Sequence, residues 1–228
     1  MNAFSPFMDD YEERTLASSY LRIVRYIAFM LCTLVSALYL AFVTYNQAIV
    51  PSALALSIAA GRESVPFPSV VELLGLTVSI TIIREAGIRM PQSVSYFVGT
   101  LAAVVIGQAI VTAGYVSPSL IIVVATATIS SFAISTTTLL YPARLLNYFF
   151  ILLAGVFGIF GVINGVIIVF WQVASNSSFG VPYLYPLLPF DKNGFKDVFI
   201  RSPFATLNKR MKRLSPKNRV KVGQKGIK

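Results

Sequence analysis

The chain has 228 residues, of which 56% are hydrophobic and only 12% charged, with a mean hydropathy of +0.73. A water-soluble domain carries about 25% charged residues to cover its surface, so a soluble globular fold is excluded. The net charge of +10 is concentrated, because 12 of the 19 Lys and Arg lie from Lys192 to the end, opposed there only by Asp191 and Asp197.

A basic tail can bind nucleic acid or anionic lipid. Here it follows long apolar runs and has no aromatic platform or nucleic-acid motif beside it, which favours membrane lipids as partner over nucleic acid. Cys32 is the only cysteine, so the chain holds no disulfide framework. Histidine is absent, which removes the commonest metal ligand and the usual proton shuttle. No cofactor or metal is expected. The start carries Asp9, Asp10, Glu12 and Glu13, where a cleaved secretory signal needs basic residues.

In chain order, residues 1–21 read as a cytoplasmic N-terminal segment and 22–174 as a membrane domain. The first span covers about 23–45, with Arg22 and Arg25 placing its start inside. Residues 47–68, with Pro51, Gly61, Pro66 and Pro68, read as an external loop carrying a short interfacial helix at 52–60. A short helix at 70–83 follows, too short for a full crossing and better suited to a re-entrant or interfacial position. The next spans are 96–116 and 118–139, a tight hairpin punctuated by Gly114 and Ser117-Pro118. The last is 148–173. Residues 175–228 form a surface segment and the basic cytoplasmic tail. Four spans put both ends in the cytoplasm; a fifth would force the basic tail outside. The expected fold class is therefore all-α, a polytopic helical membrane protein of about four spans plus one short helix.

Polar groups at membrane depth are costly and need a reason. Thr77 and Thr81 stand at i and i+4, and Arg84 and Glu85 continue that face, with Glu72 and Ser79 on the other side. The stripe fits either a lining of water or an ion path, or the wet side of an interfacial helix. Gln108 interrupts an apolar run, where an amide bonds across to another helix more often than it lines a pore. Thr126, Thr128, Ser130, Ser131, Ser135, Thr136, Thr137 and Thr138 make the third span hydroxyl-rich, and such hydroxyls satisfy themselves on backbone carbonyls. Gly155, Gly158, Gly161 and Gly165 share about a third of one helix circumference, a packing face within the chain or between copies. No catalytic constellation is present, because no histidine or embedded aspartate could activate the many hydroxyls. An enzyme is not expected.

The string from Ser57 through Gly61-Arg62-Glu63-Ser64 to Pro66-Phe67-Pro68, and then Arg84-Glu85-Ala86-Gly87-Ile88-Arg89-Met90-Pro91, resemble the GerA-type spore germination receptor A-subunit family. Val105-Ile106-Gly107-Gln108-Ala109, Val116-Ser117-Pro118, Ser178-Phe179-Gly180-Val181-Pro182-Tyr183-Leu184 and the closing Lys196-Asp197-Val198-Phe199-Ile200-Arg201-Ser202-Pro203 follow in the family's order. The resemblance implies a membrane subunit of a nutrient-responsive germination receptor in the spore inner membrane. It also implies homo-oligomers forming a gated ion channel, with a transporter-like B-type subunit and a C-type lipoprotein as partners. Thr77, Thr81, Arg84, Glu85 and Gln108 are then the candidate pore or gating face.

Family members carry a large soluble domain before the first span, whereas this chain starts almost at that span. The alternatives are a non-conducting scaffold, a truncated paralogue lacking the sensing domain, or a small transporter. Where the family has acidic residues this chain has Thr77 and Thr81, which implies a weaker cation preference if that helix lines a path. The family's proline after the hydroxyl-rich span is Ser135 here, and a second basic residue near Arg144 is Asn147.

Overall fold

The structure, a computed structural model, describes residues 15–134, 137–178, 180–188 and 190. The acidic start at residues 9–13, Ser135, Thr136, Phe179 and the basic tail with its closing motif lie outside these, as do the side chains of Thr137 and Thr138. The fold is all-α: among the described residues are six α-helices and one hairpin of two-residue strands. Two compact units divide the chain, one spanning Phe29–Gly165 and the other joining the residues up to Ala28 to those from Val166 onward.

Helix α1 covers Thr15–Thr44. It starts a full two turns before the expected 23, because Arg22 and Arg25 are good helix formers and do not interrupt the ladder. Arg22 and Ser18 are fully buried. Further along, α1 buries Cys32, Thr33, Ser36, Ala37, Leu40 and Ala41. Most of these are small, which lets neighbouring helices approach closely.

A 3₁₀ turn at Gln47–Ile49 leads to α2, Ser52–Arg62, which has no buried residue. Helix α3 covers Ser69–Arg89, 21 residues, where only 70–83 was expected to be helical. Hydropathy falls after Ile83, but Arg84, Glu85, Ala86 and Arg89 are good helix formers and a Glu85–Arg89 pair at i,i+4 supports the last turn. Pro91 then ends the run. The buried stripe of α3 is Ser69, Glu72, Leu73 and Leu76, the i, i+3, i+4, i+7 pattern of one helix face.

Helix α4, Gln92–Thr112, is long and apolar enough to cross a membrane. It contains a π-helical turn at Val105–Ala109. Its end is a Schellman motif: Gly114 takes φ 70°, Tyr115 N–H donates to Ile110 O at 3.1 Å and Gly114 N–H to Val111 O at 3.0 Å. Helix α5 runs only over Pro118–Phe132, shorter than the expected 118–139. Pro118 at its first turn is pre-set for helix entry.

Helix α6, Thr137–Ser175, merges two helical arms across a break at Gly158, whose φ 61° and ψ −140° are accessible to glycine alone. A straight α-helix would put Phe150 and Gly165 about 22 Å apart. Instead a Cβ placed on Gly165 would lie 3.0 Å from the Phe150 ring and 2.7 Å from Leu153. The chain therefore turns back at Gly158. The expected single crossing at 148–173 is a broken helix, because Gly158 can adopt the positive φ of the break and Gly161 and Gly165 carry no side chain to clash with the preceding arm. Tyr45 Oη donates to the carbonyls of Gly155 at 2.8 Å and Val156 at 3.2 Å, occupying acceptors that the break deprives of helical partners.

Large apolar side chains such as Ile82, Ile122, Ile129, Phe132, Leu152 and Phe160 are exposed. In water such a surface would drive aggregation; in lipid it is the expected exterior. Among the described residues, three apolar helical stretches, Leu16–Thr44, Gln92–Thr112 and Leu139–Ser175, the last of them broken at Gly158, meet the length and hydropathy of a membrane crossing. The protein is a membrane protein.

Candidate functional site

The polar face of α3 continues its buried stripe. Thr77, Thr81 and Arg84 line a cavity of about 50 Å³ together with Cys32 and Ser36 of α1, Thr128 and Ser131 of α5, and Arg144, Asn147 and Tyr148 of α6. All belong to the Phe29–Gly165 unit. Thr77 Oγ1 donates to Leu73 O at 2.7 Å and Thr81 Oγ1 to Thr77 O at 2.8 Å, so both hydroxyls commit their protons to the helix below them. Thr81 Oγ1 also meets Tyr148 Oη at 2.9 Å. With its own proton committed, Thr81 is the acceptor of that bond.

Arg84 Nη2 donates to Thr128 O at 3.3 Å, and its guanidinium stands 4.5 Å from the centre of the Phe132 ring. It thus sits against the last turn of α5, where the helix dipole and the ring face both attract a cation. Ser131 Oγ donates to the same carbonyl, at 2.5 Å. Asn147 Nδ2 donates to Cys32 O at 2.7 Å, tying α6 to α1. Arg144 lies 5.9 Å from the Tyr141 ring centre. The buried atoms Arg144 Nη2 and Asn147 Oδ1 have no hydrogen-bond partner.

Glu85 and Gln108 stand elsewhere. Glu85 pairs with Arg89 at 2.8 Å on the exposed side of α3, and that hydrogen bond holds the Arg89 guanidinium above its ordinary pKa. Gln108 is exposed within the π turn of α4, where its backbone carbonyl accepts from Thr112 Oγ1 at 3.0 Å. The cavity therefore gathers three of the five candidate face residues and leaves two outside. The four glycines line the reversal in α6: Gly155 packs on Val70, Gly158 on Tyr45, and Gly161 and Gly165 on the preceding arm at Leu153, Phe157 and Phe150.

Sequence reasoning misses Ser36, Arg144, Asn147 and Tyr148 as site residues. One signal does exist: Arg144 is the single charged residue in the whole of α6, and a lone ionisable group in an apolar helix marks a functional position. The expected corner between two spans hides it, because a charge there needs no further reason.

A second polar joint also escapes the sequence. Glu72, whose side chain is fully buried, accepts from Arg62 Nη2 at 3.1 Å and from Ser117 N–H at 3.1 Å. Arg62 also donates to Ser69 Oγ. One carboxylate thus links α2, α3 and the start of α5, where the helix N-terminus favours negative charge. Among the described residues, no group of three or more His, Cys, Asp or Glu is placed to hold a metal.

Several known proteins are similar in sequence to this chain. The chain is 41% identical over 221 residues to the spore germination protein KA of Bacillus subtilis strain 168, covering 97% of this chain and 41% of that protein. It is 39% identical over 220 residues to the uncharacterized membrane protein YfkQ of the same strain, covering 96% and 42%. To the spore germination protein GerLA of Bacillus cereus it is 36% identical over 211 residues, covering 92% and 43%. The chain thus spans about two-fifths of the length of these curated relatives. No solved structure matches it. The profile of the Bacillus/Clostridium GerA spore germination proteins matches residues 2–213, and the chain belongs to that family.

Proposed function

We propose that this chain is a membrane subunit of a nutrient-responsive germination receptor in the spore inner membrane. It assembles with copies of itself, a transporter-like B-type subunit and a C-type lipoprotein into a gated ion-conducting complex, and it acts by gating, not by catalysis. The observation that carries this reading is the family match running through almost the entire chain.

Support for an oligomer comes from α4. The hydropathic stretch of this helix has none of its residues buried within the chain, and Gln108 sits exposed in its π turn. An amide facing lipid has no partner, so a neighbouring subunit that covers α4 gains a hydrogen bond that hydrocarbon cannot offer. π-Helical turns recur at functional positions, where they free a backbone carbonyl. Gating then consists of a partner binding one arrangement of these helices better than another and shifting its population.

Deletion of the gene in its spore-forming host is expected to slow nutrient-triggered germination and delay cation release for at least one nutrient. Unchanged germination and release with every nutrient, in a strain also lacking the paralogues, overturns the proposal.

A further inference from the structure

We propose that the cavity among α1, α3, α5 and α6 is a binding site for one small monovalent anion of halide size. Such a site stands on the cavity alone and does not depend on the role in germination.

Two guanidinium groups, Arg84 and Arg144, line one small space. Three carboxylates belong to the described residues. Glu72 is engaged by Arg62, Glu85 is paired with Arg89, and Glu63 is exposed outside the lining. No described carboxylate therefore faces Arg84 or Arg144. Two like charges sharing a half-buried space of low dielectric repel each other and carry a desolvation cost, which a negative ion between them offsets.

The hydrogen-bond inventory points the same way. Arg84 already commits one Nη2 proton to Thr128 O, but its guanidinium has further N–H groups. Arg144 Nη2 is buried with no partner at all. Ser36, 1% exposed, adds a hydroxyl to the wall. The charged groups of the lining are thus both donors, Arg84 and Arg144, and no carboxylate stands among its oxygens. Asn147 Oδ1 is an unpartnered acceptor, and a water accompanying the anion would donate to it.

Size sets the ligand class. A cavity of about 50 Å³ suits a single halide or formate with a water or two, since a single water needs about 10–15 Å³. Phosphate or a larger carboxylate does not fit with its hydration. The same charge arrangement disfavours a cation, so a cation path in an assembled complex runs outside this cavity.

The test uses the purified full chain in detergent, with chloride exchanged for gluconate at constant ionic strength. The unfolding midpoint of the parent is expected to rise with chloride and to saturate, as for a ligand that binds the folded state. Arg144→Gln is expected to lose that dependence and Arg144→Lys to keep part of it. Equal parent midpoints in chloride and gluconate overturn the site, as does Arg144→Gln responding like the parent. Should Arg144→Gln fail to fold, chloride NMR linewidths on the parent decide. Protein-dependent broadening relieved by bromide or formate but not by phosphate supports a halide-sized site. Absence of broadening, or equal relief by phosphate, overturns it.

Discussion

Gly158 is the residue on which the shape of α6 turns. Its backbone occupies a region closed to side chains, and a Cβ there would lie 2.9 Å from Tyr45. Gly158→Ala is expected to destabilise the protein by about 2–3 kcal/mol, combining backbone strain with the displaced ring. Gly75, where an added methyl group would meet nothing within 4 Å, supplies the control: Gly75→Ala is expected to be neutral or stabilising by up to about 1 kcal/mol. Thermal unfolding of both variants in one detergent checks the pair, and equal midpoints would refute the assigned strain. Glu72 is the other decisive single residue. Glu72→Ala strands Arg62 and the Ser117 N–H, at an expected cost of about 3 kcal/mol. The double variant Arg62→Met with Glu72→Leu is expected to recover most of that loss, because two apolar groups carry no unpaired charge. A double variant no better than Glu72→Ala would show that packing, not charge, explains the site.

At the scale of the element, α3 shows why spacing alone left its polar stripe ambiguous. Thr77 and Thr81 share a face with Arg84, as their period requires, but the stripe turns into the helix cluster and not toward bulk water. Arg144 of α6 lines the cavity these three residues face, and no periodicity within α3 could reveal it. This alters what an acidic replacement would do. Thr81→Glu would place a carboxylate on the wall of a space that already holds two guanidinium groups. It is expected to abolish the chloride dependence of the unfolding midpoint and to leave ion selectivity of reconstituted protein unchanged. Retained chloride dependence would place position 81 away from the guanidinium groups. The lengths of α3 and α5 also depart from hydropathy. Helix formation follows backbone propensity and capping, so α3 continues through charged residues that hydropathy discounts. Helix α5 ends while the sequence is still rich in hydroxyls.

For the whole molecule, α4 is the longest of the described helices that bury no residue. The chain's only cysteine, Cys32, is buried on α1, so an introduced thiol on α4 can be read against a quiet background. Gln108→Cys is expected to form disulfide-linked dimers on mild oxidation in membranes, while the parent does not. Monomers throughout would rule out contact between copies at this position. Reconstitution of the chain into potassium-loaded vesicles separates a conducting subunit from a scaffold: flux above protein-free vesicles is the expected outcome, and its absence would assign conduction to the complete receptor.

The amino-acid sequence by itself determined the all-α class, the membrane setting and the family, because these rest on composition, long apolar runs and ordered local strings. It also located Thr77, Thr81 and Arg84 on one face, since helical period is a local property. Only the tertiary structure decided that Arg144, Asn147 and Ser36 join them, that Glu85 and Gln108 do not, and that α6 turns back on itself at Gly158. Those outcomes depend on which distant helices pack together and on whether a carbonyl such as that of Gly155 finds Tyr45. A chain read one window at a time carries no information on such contacts.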